Sequence, residues 1–369
     1  MINYKNFFSG LLVVAFIFQI SKFYTFYLEY SDWQYADWLI NYQGGFIRRG
    51  FAGEIFAKIS LFLEVPLRNV ILYFLYAIFI IYYLSIFVFF RNFKNNYLII
   101  FAILSPLFLI WPIAEREALG RKDILILTSF IIFCSFFKYI NLRNFYLLFT
   151  LIYTPVILTH EIAIFYLPFF FVIIFFKISK VSIKELIPLF LISIFFLLLT
   201  FILFKSIHTP ESLQIMCEKI ENIYNDKCGL GAKFLDKKLN IYLAELGPKI
   251  EHIIRNLIIF FIGYFALILL ILNSHSNKLK LNFITSIINF KLLSAILFLP
   301  TLIPFFIAVD WGRWFNLSYS MTLIFYIFCL KNNYIFLKIE NKYLNYFLIL
   351  FDKSKFFFLI TLIILFFSW

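Results

Sequence analysis

FYLLFTLIYTPVILTHEIAIFYLPFFFVIIFF, residues 145–176, is an apolar run interrupted by charge only at His160-Glu161. Arg143 precedes it and Lys177 follows it. Basic residues favour the cytoplasmic side of a membrane, so both ends lie on that side and the run crosses an even number of times. Folded as a hairpin it leaves about 16 residues per arm, short of the ~20 that span the hydrocarbon. The turn, with His160 and Glu161, therefore sits within the membrane's depth. An ionisable pair there is a functional candidate, and an imidazole beside a carboxylate suits proton transfer near neutral pH. Adjacent residues point in different directions on a helix, so the two need not touch, and plain turn residues remain the alternative.

The rest of the 369-residue chain follows the same pattern. It is 63% hydrophobic and 14% charged, with mean hydropathy +0.92, against roughly 45–50% and 25% in soluble domains. That excludes a water-soluble enzyme, a disordered chain, a disulfide-stapled miniprotein and a collagen-like fibre. The reading is a single all-α, polytopic transmembrane domain over 1–369 with about eleven transmembrane helices. The spans fall near 7–28, 69–90, 97–114, 124–137, 145–159, 162–176, 186–204, 257–273, 292–309, 317–330 and 343–369. The first is a retained span, not a cleaved signal peptide, because no small-residue cleavage site follows it. The net charge of +13 reads as topology and anionic-lipid contact, not nucleic acid. Arg91 and Lys94, Lys138 and Arg143, Lys177 to Lys184, Lys278 and Lys280, and Lys331 to Lys342 then share the cytoplasmic side. Of 20 Asp and Glu, only Glu185, Glu340 and Asp352 join them. The other seventeen face outward. Acids contribute little to orientation, so that accumulation calls for chemistry or binding.

The outward segments carry the candidate site. Residues 29–68 hold Asp32, Asp37, the run Gly44-Gly45-Phe46-Ile47-Arg48-Arg49-Gly50, and a juxtamembrane amphipathic helix at 51–64. In that helix Glu54 and Lys58 pair at i, i+4 and Phe51, Ile55, Phe56 and Ile59 face the interface. Glycines beside two guanidiniums suit a phosphate or pyrophosphate, whereas the alternative places Arg48 and Arg49 on lipid headgroups. It is no Walker loop, since the Gly-Lys-Ser/Thr spacing is missing. Residues 115–123 hold Glu115, Arg116, Glu117, Arg121, Lys122 and Asp123. The basic members extend an anion clamp, or Glu117 and Arg121 form a local pair. Asp310-Trp311-Gly312-Arg313-Trp314 sets an acid and a base among indoles, which stack on sugar faces or anchor at the interface. In the long segment 205–256, Cys217 and Cys228 suit a disulfide in an oxidising periplasm. His208 and His252 read as surface residues, His275 as cytoplasmic. No Cys or His spacing frames a metal.

Clustered arginines at membrane depth suit a lipid phosphate, and carboxylates with Trp suit a sugar. The expected activity is sugar transfer between polyprenyl-linked donors and acceptors on the periplasmic face of a bacterial inner membrane. The outward first loop with Asp37 and the helix at 51–64 resemble the GT-C membrane glycosyltransferases. Gly-Phe-Ile-Arg-Arg-Gly at 45–50, Gly-Arg-Lys-Asp at 120–123 and Asp-Trp-Gly-Arg-Trp at 310–314 resemble bacterial polysaccharide polymerases of the O-antigen type. The resemblance implies an undecaprenyl-pyrophosphate-linked repeat unit as donor and a second lipid-linked glycan as acceptor. Arg48, Arg49, Arg116, Arg121 and Arg313 would neutralise the leaving group. Asp37, or His160 with Glu161, or Asp310 would take the acceptor's proton. Asp32, Glu115, Glu117, Lys122, Trp311 and Trp314 complete the expected substrate contacts. No cofactor is required, although a divalent cation at Asp32 and Asp37 is compatible with the set. A flippase or chain-length regulator fits as a partner. The rival readings are a flippase or transporter of lipid-linked sugars, and a membrane acyltransferase acting on sugars with His160 as base.

Overall fold

The computed structural model describes residues 4–29, 34–91, 96–115, 118–178, 182–205, 209–229, 231, 250–277, 289–307 and 310–339. These residues are mostly helical. Helices α1 (Tyr4–Glu29), α2 (Ala36–Leu39), α3 (Phe51–Leu63), α4 (Leu67–Phe90), α5 (Tyr97–Ile103) and α6 (Trp111–Ala114) come first. Then follow α7 (Asp123–Phe136), α8 (Leu142–Thr159), α9 (Leu167–Lys177), α10 (Ile183–Lys205) and α11 (Pro210–Tyr224). The last are α12 (Ile250–Leu272), α13 (Phe290–Phe298), α14 (Pro304–Ile307) and α15 (Trp311–Lys331). Among the described residues, six segments are long and apolar enough to cross a membrane: those in α1, α4, α8, α10 and α12, and the stretch from Phe290 to Ile307.

The hairpin expected of residues 145–176 forms. Helix α8 ends at His160, whose backbone is extended at φ −152°, and a 3-10 turn over Glu161–Tyr166 leads into α9. Antiparallel packing follows from the contacts. The Tyr153 hydroxyl donates to the Ala163 carbonyl at 2.7 Å, while Phe149, further from the turn, stacks on Phe170 at 5.3 Å. Helix α9 has 11 residues and α7 has 14, so both are too short to span alone.

The span expected at 97–114 is not one helix. It breaks after Ile103 and resumes only at Trp111. Irregular backbone at membrane depth must be buried in protein and hydrogen-bonded there. Here side chains do this. Asn316 Nδ2 donates to the Leu107 and Phe108 carbonyls at 2.8 and 3.0 Å, Tyr319 to Ala102 at 2.6 Å and Gln19 to Leu109 at 3.2 Å. Asn316 and Tyr319 belong to α15, which is buried on every side from Trp314 to Cys329 and forms the centre of the bundle. It contains the span expected at 317–330. The span expected at 343–369 lies outside the described residues.

The two ends of the bundle differ in charge. The turns after α4, α7, α9 and α15 gather at one end, where Lys331 lies near Arg91 and Lys138. There Lys177 donates to the Phe137 carbonyl, and a two-stranded antiparallel ribbon, β1 (Ser274–Ser276) with β2 (Ile335–Leu337), ties α12 to α15. His275 is on that ribbon. The alternation that groups these basic turns on one side is thereby seen in three dimensions. Asp37, Asp123, Glu161 and Asp310 collect towards the other end.

Candidate functional site

Three elements hold the first loop, residues 34–50, over the bundle. Helix α3 approaches closely because Gly53 has no side chain: a Cβ there would lie 2.0 Å from the Ile40 carbonyl oxygen. Phe56 of α3 packs on Trp38 and Phe74. It is buried, not interfacial as expected, while Ile55 and Ile59 are exposed. The Glu54–Lys58 pair forms at 3.3 Å, and Glu54 also accepts the Tyr42 N–H. From the far side α11 clamps the loop. Lys219 Nζ donates to the Gln43 carbonyl at 2.9 Å, and Tyr35 donates to Asp226 at 2.6 Å. Cys217 and Cys228 are joined by a disulfide with their Cα atoms 5.2 Å apart, closing the loop that carries Asp226. Trp38 Nε1 donates to Gly120 at 2.7 Å and so ties the loop to the entrance of α7.

These supports bring side chains from four separate segments into one buried ionic cluster. Arg49 forks onto Glu161, with Nε and Nη2 at 2.9 Å, and reaches Asp37 at 4.0 Å. Lys122, completely buried, sits 3.6 Å from Asp37 and donates to the Arg49 carbonyl at 3.1 Å. Asp123 accepts from His160 Nε2 at 3.0 Å on one oxygen and from Arg313 Nε and Nη2 at 2.9 Å on the other. Arg313 Nη1 continues to Asp310 at 2.8 Å. Arg48 approaches Glu161 at 3.9 Å. Arg49 is in the left-handed region at φ 66°. That conformation is costly for a residue with a Cβ, and here the Glu161 fork and the Lys122 contact hold it.

Helix lengths give the depth of this cluster. Helices α4 and α7 pack together and both end near Lys331 and Lys177. At 1.5 Å per residue α4 is about 36 Å long and α7 about 21 Å. Asp123, the first residue of α7, is thus sunk roughly 15 Å below the far end of α4.

Charge on the cluster is fixed by its own geometry. Burial would raise the Asp37 carboxyl, but Lys122 and Arg49 outweigh it and keep the group below the usual carboxylate range. Glu161 behaves likewise: burial is overcome by the Arg49 fork. Burial pushes the Lys122 ammonium down to about 8 against the pull of Asp37. Both carboxylates are thus held as anions by cations and are poor bases. His160 differs. Its Nε2 faces Asp123, and its Nδ1 is buried with no hydrogen-bond partner among the described residues. A proton on Nε2 donated to Asp123 leaves the lone pair on Nδ1, the arrangement of a general base steadied by a carboxylate.

The structure gives several of the expected residues contacts that the sequence does not show. His160 and Glu161 diverge, each to a different partner. Arg49 forks onto Glu161, and Arg313 bridges Asp123 and Asp310. Gly44 leaves room for α11, since a Cβ there would lie 1.9 Å from the Ser212 carbonyl oxygen. The Gly45 N–H is taken by the Tyr42 carbonyl, so the glycine run is not an open anion nest. Trp314 is buried beneath the Arg313 guanidinium, 4.9 Å away, with no ring face for a sugar. Trp311 is half-buried and donates to the Phe305 carbonyl. Glu115 follows α6 and is half-buried. Asp32, Arg116, Glu117 and His208 lie outside the described residues, as does the His252 side chain. Among the described residues no three His, Cys, Asp or Glu side chains converge as a metal cage.

Asp123 stands in the 115–123 segment singled out from the sequence, but the sequence reading gives it no role of its own. A signal was present: Lys122-Asp123 opens an apolar helix too short to span, which forces its first carboxylate below the surface.

The architecture is that of a multi-pass helical membrane protein with a buried ionic cluster between its helices. No protein-family model matches the chain, and no curated protein or solved structure matches it.

Proposed function

We propose that this protein transfers sugar units from a polyprenyl-(pyro)phosphate-linked donor to a glycan acceptor on the outer face of a bacterial inner membrane, as a polysaccharide polymerase of GT-C-like fold. The observation that carries the reading is the buried Asp123–His160 pair, with Nδ1 of the imidazole unpartnered among the described residues. In this mechanism His160 Nδ1 takes the proton of the acceptor hydroxyl as its oxygen bonds to the sugar's anomeric carbon. The bond from that carbon to the phosphate oxygen breaks, and the electron pair leaves with the lipid (pyro)phosphate. Asp123 stabilises the imidazolium as it forms, and Arg48, Arg121 and Arg313 face the charge gathering on the leaving group. Asp37 and Glu161 hold the cations in place and take no proton.

The test uses a strain whose surface glycan depends on this chain. His160→Ala, Asp123→Asn and Asp37→Asn are expressed singly, membrane levels are matched, and lipid-linked glycans are resolved by length and by membrane face. Long chains are expected to vanish for His160→Ala and to fall at least 100-fold for Asp123→Asn, a typical loss when general base catalysis is removed. Single units should accumulate on the outer face. Units trapped on the cytoplasmic face would favour a flippase, and an unchanged ladder in all three variants would remove the reading.

A further inference from the structure

Below the ionic cluster, towards the cationic end, lies a cavity of about 30 Å³ with two unlike walls. Arg121, Asp123 and Arg313 form one, and Phe79, Tyr82 and Tyr83 of α4 form the other. A second cavity of about 10 Å³ lies between α1 and α4, and both have Gly120 in their walls. Phe23 separates the two. Its ring packs edge-on against Phe79 at 4.5 Å and comes within 3.3 Å of where a Cβ on Gly120 would be.

Two observations point to a ligand there. The Tyr83 side chain is 6% exposed, lines the larger cavity, and its hydroxyl has no hydrogen-bond partner among the described residues. A buried hydroxyl at that depth is costly unless something polar meets it. The seam between α1 and α4 is closed along its length by ring contacts, Phe8 on Phe90, Phe16 on Tyr83, and Phe23 on Tyr76 and Phe79. Such ring contacts, edge-to-face at Phe16 and Phe23 and tilted at Phe8, slide at small cost, whereas the ionic cluster does not. Cationic groups at one end of a cavity and rings at the other match a molecule with an anionic head and an apolar chain.

We infer that the α1–α4 seam admits the chain of a phosphate-bearing amphiphile, with Phe23 as the side chain that must swing aside. The head comes to rest against Arg121 and Arg313, and the Tyr83 hydroxyl meets a polar atom of the same molecule. The described form is the closed one, because its cavities have room for only two or three waters. This inference rests on the glycosyl-transfer reading only for the identity of the head group's cargo. Lipid-phosphate binding stands or falls without it.

Photo-crosslinking of the full chain in lipid nanodiscs tests it. A p-benzoylphenylalanine replaces Phe23 in one protein, Tyr83 in a second and the exposed Phe265 of α12 in a third. Each is irradiated with a labelled polyprenyl phosphate, the matching polyprenol, or phosphatidylglycerol. At positions 23 and 83 the polyprenyl phosphate should label at least fivefold better than the other two, with no preference at 265. Arg121→Gln should abolish that preference. Tyr83→Phe should reduce labelling at 23 severalfold without lowering thermal stability, since its hydroxyl has no hydrogen-bond partner among the described residues. Equal labelling by polyprenol, or labelling at 23 and 83 no better than at 265, would overturn the inference. Displacement by millimolar inorganic phosphate alone would do so too, because the anion would then suffice. Preferential labelling without sugar transfer in the glycan assay removes the proposed function and leaves this site. Transfer lost in His160→Ala, with no preference at 23 or 83, does the reverse.

Discussion

The two ends of this helical bundle both carry buried or half-buried cations, but they use them differently. At one end Lys177 donates to the carbonyl of Phe137, which caps α7, and Lys331 to that of Phe89, in the last turn of α4. Each cation there serves a helix C-terminus and marks the side of the membrane. At the other end Arg49, Lys122 and Arg313 are interlocked with Asp37, Asp123, Glu161 and Asp310 across segments far apart in the chain. The first arrangement satisfies backbone that every helix exposes. The second brings opposite charges out of water, at a desolvation cost that fold alone does not require. Cations that cap helix ends and cations interlocked with carboxylates are thus separated by about the length of α7.

The comparison is broken most sharply by removing one carboxylate and one lysine. Asp123→Ala leaves His160 and Arg313 buried without their shared partner and should cost about 3–5 kcal/mol. Lys331→Ala should cost under about 1 kcal/mol, the scale of a cation at a helix C-terminus. Thermal denaturation in detergent reads both. Similar losses would erase the distinction between the ends.

The disulfide sharpens it next. Cys217→Ser with Cys228→Ser opens a short loop and should cost about 3 kcal/mol by loop entropy. The loss should act on the cluster end alone, since α11 clamps the loop bearing Asp37 and Arg49. Hydrogen exchange should quicken at 34–50 and stay unchanged in the 274–276 and 335–337 ribbon.

The smallest effect is a slope. Burial pushes the Lys122 ammonium down to about 8, below the ~10.4 of an unfolded lysine. Between those values the unfolded chain holds a proton the folded one has lost, so stability gains with rising pH across that window. Relative to Lys122→Met, the slope should approach ~1.4 kcal/mol per pH unit. A flat difference from pH 8 to 10 would mean that burial does not hold Lys122 below the ordinary lysine range.

Much of the fold was legible because hydrophobic length and basic turns are local signals. The hairpin at 145–176, the exposed face of α3, the Glu54–Lys58 pair and the Cys217–Cys228 bridge all follow from spacing. The break within 97–114 was not legible. Its composition is as apolar as a continuous span, and what permits the break is a set of side chains over 200 residues away, Asn316 and Tyr319. The site was read in the same uneven way. His160, Glu161, Asp37, Arg49, Lys122 and Arg313 stand out as charges in apolar surroundings, but their pairing does not. His160 turns to Asp123 and Glu161 to Arg49 because the chain becomes extended at His160, which a helical projection of adjacent residues does not reveal. From its neighbours Trp314 reads as a sugar platform or an interfacial anchor, whereas its place in the central helix buries it.

The central claim is that distant outward segments close into one ionic cluster, and a charge swap across its best-defined pair tests it most directly. Arg49→Glu and Glu161→Arg each place like charges within 2.9 Å of one another and should each cost several kcal/mol in detergent melts. The double variant Arg49→Glu with Glu161→Arg is predicted to recover at least half of the summed loss. Losses that simply add, with no recovery in the double variant, would show that the first loop and the 160–161 turn do not meet and would contradict the account.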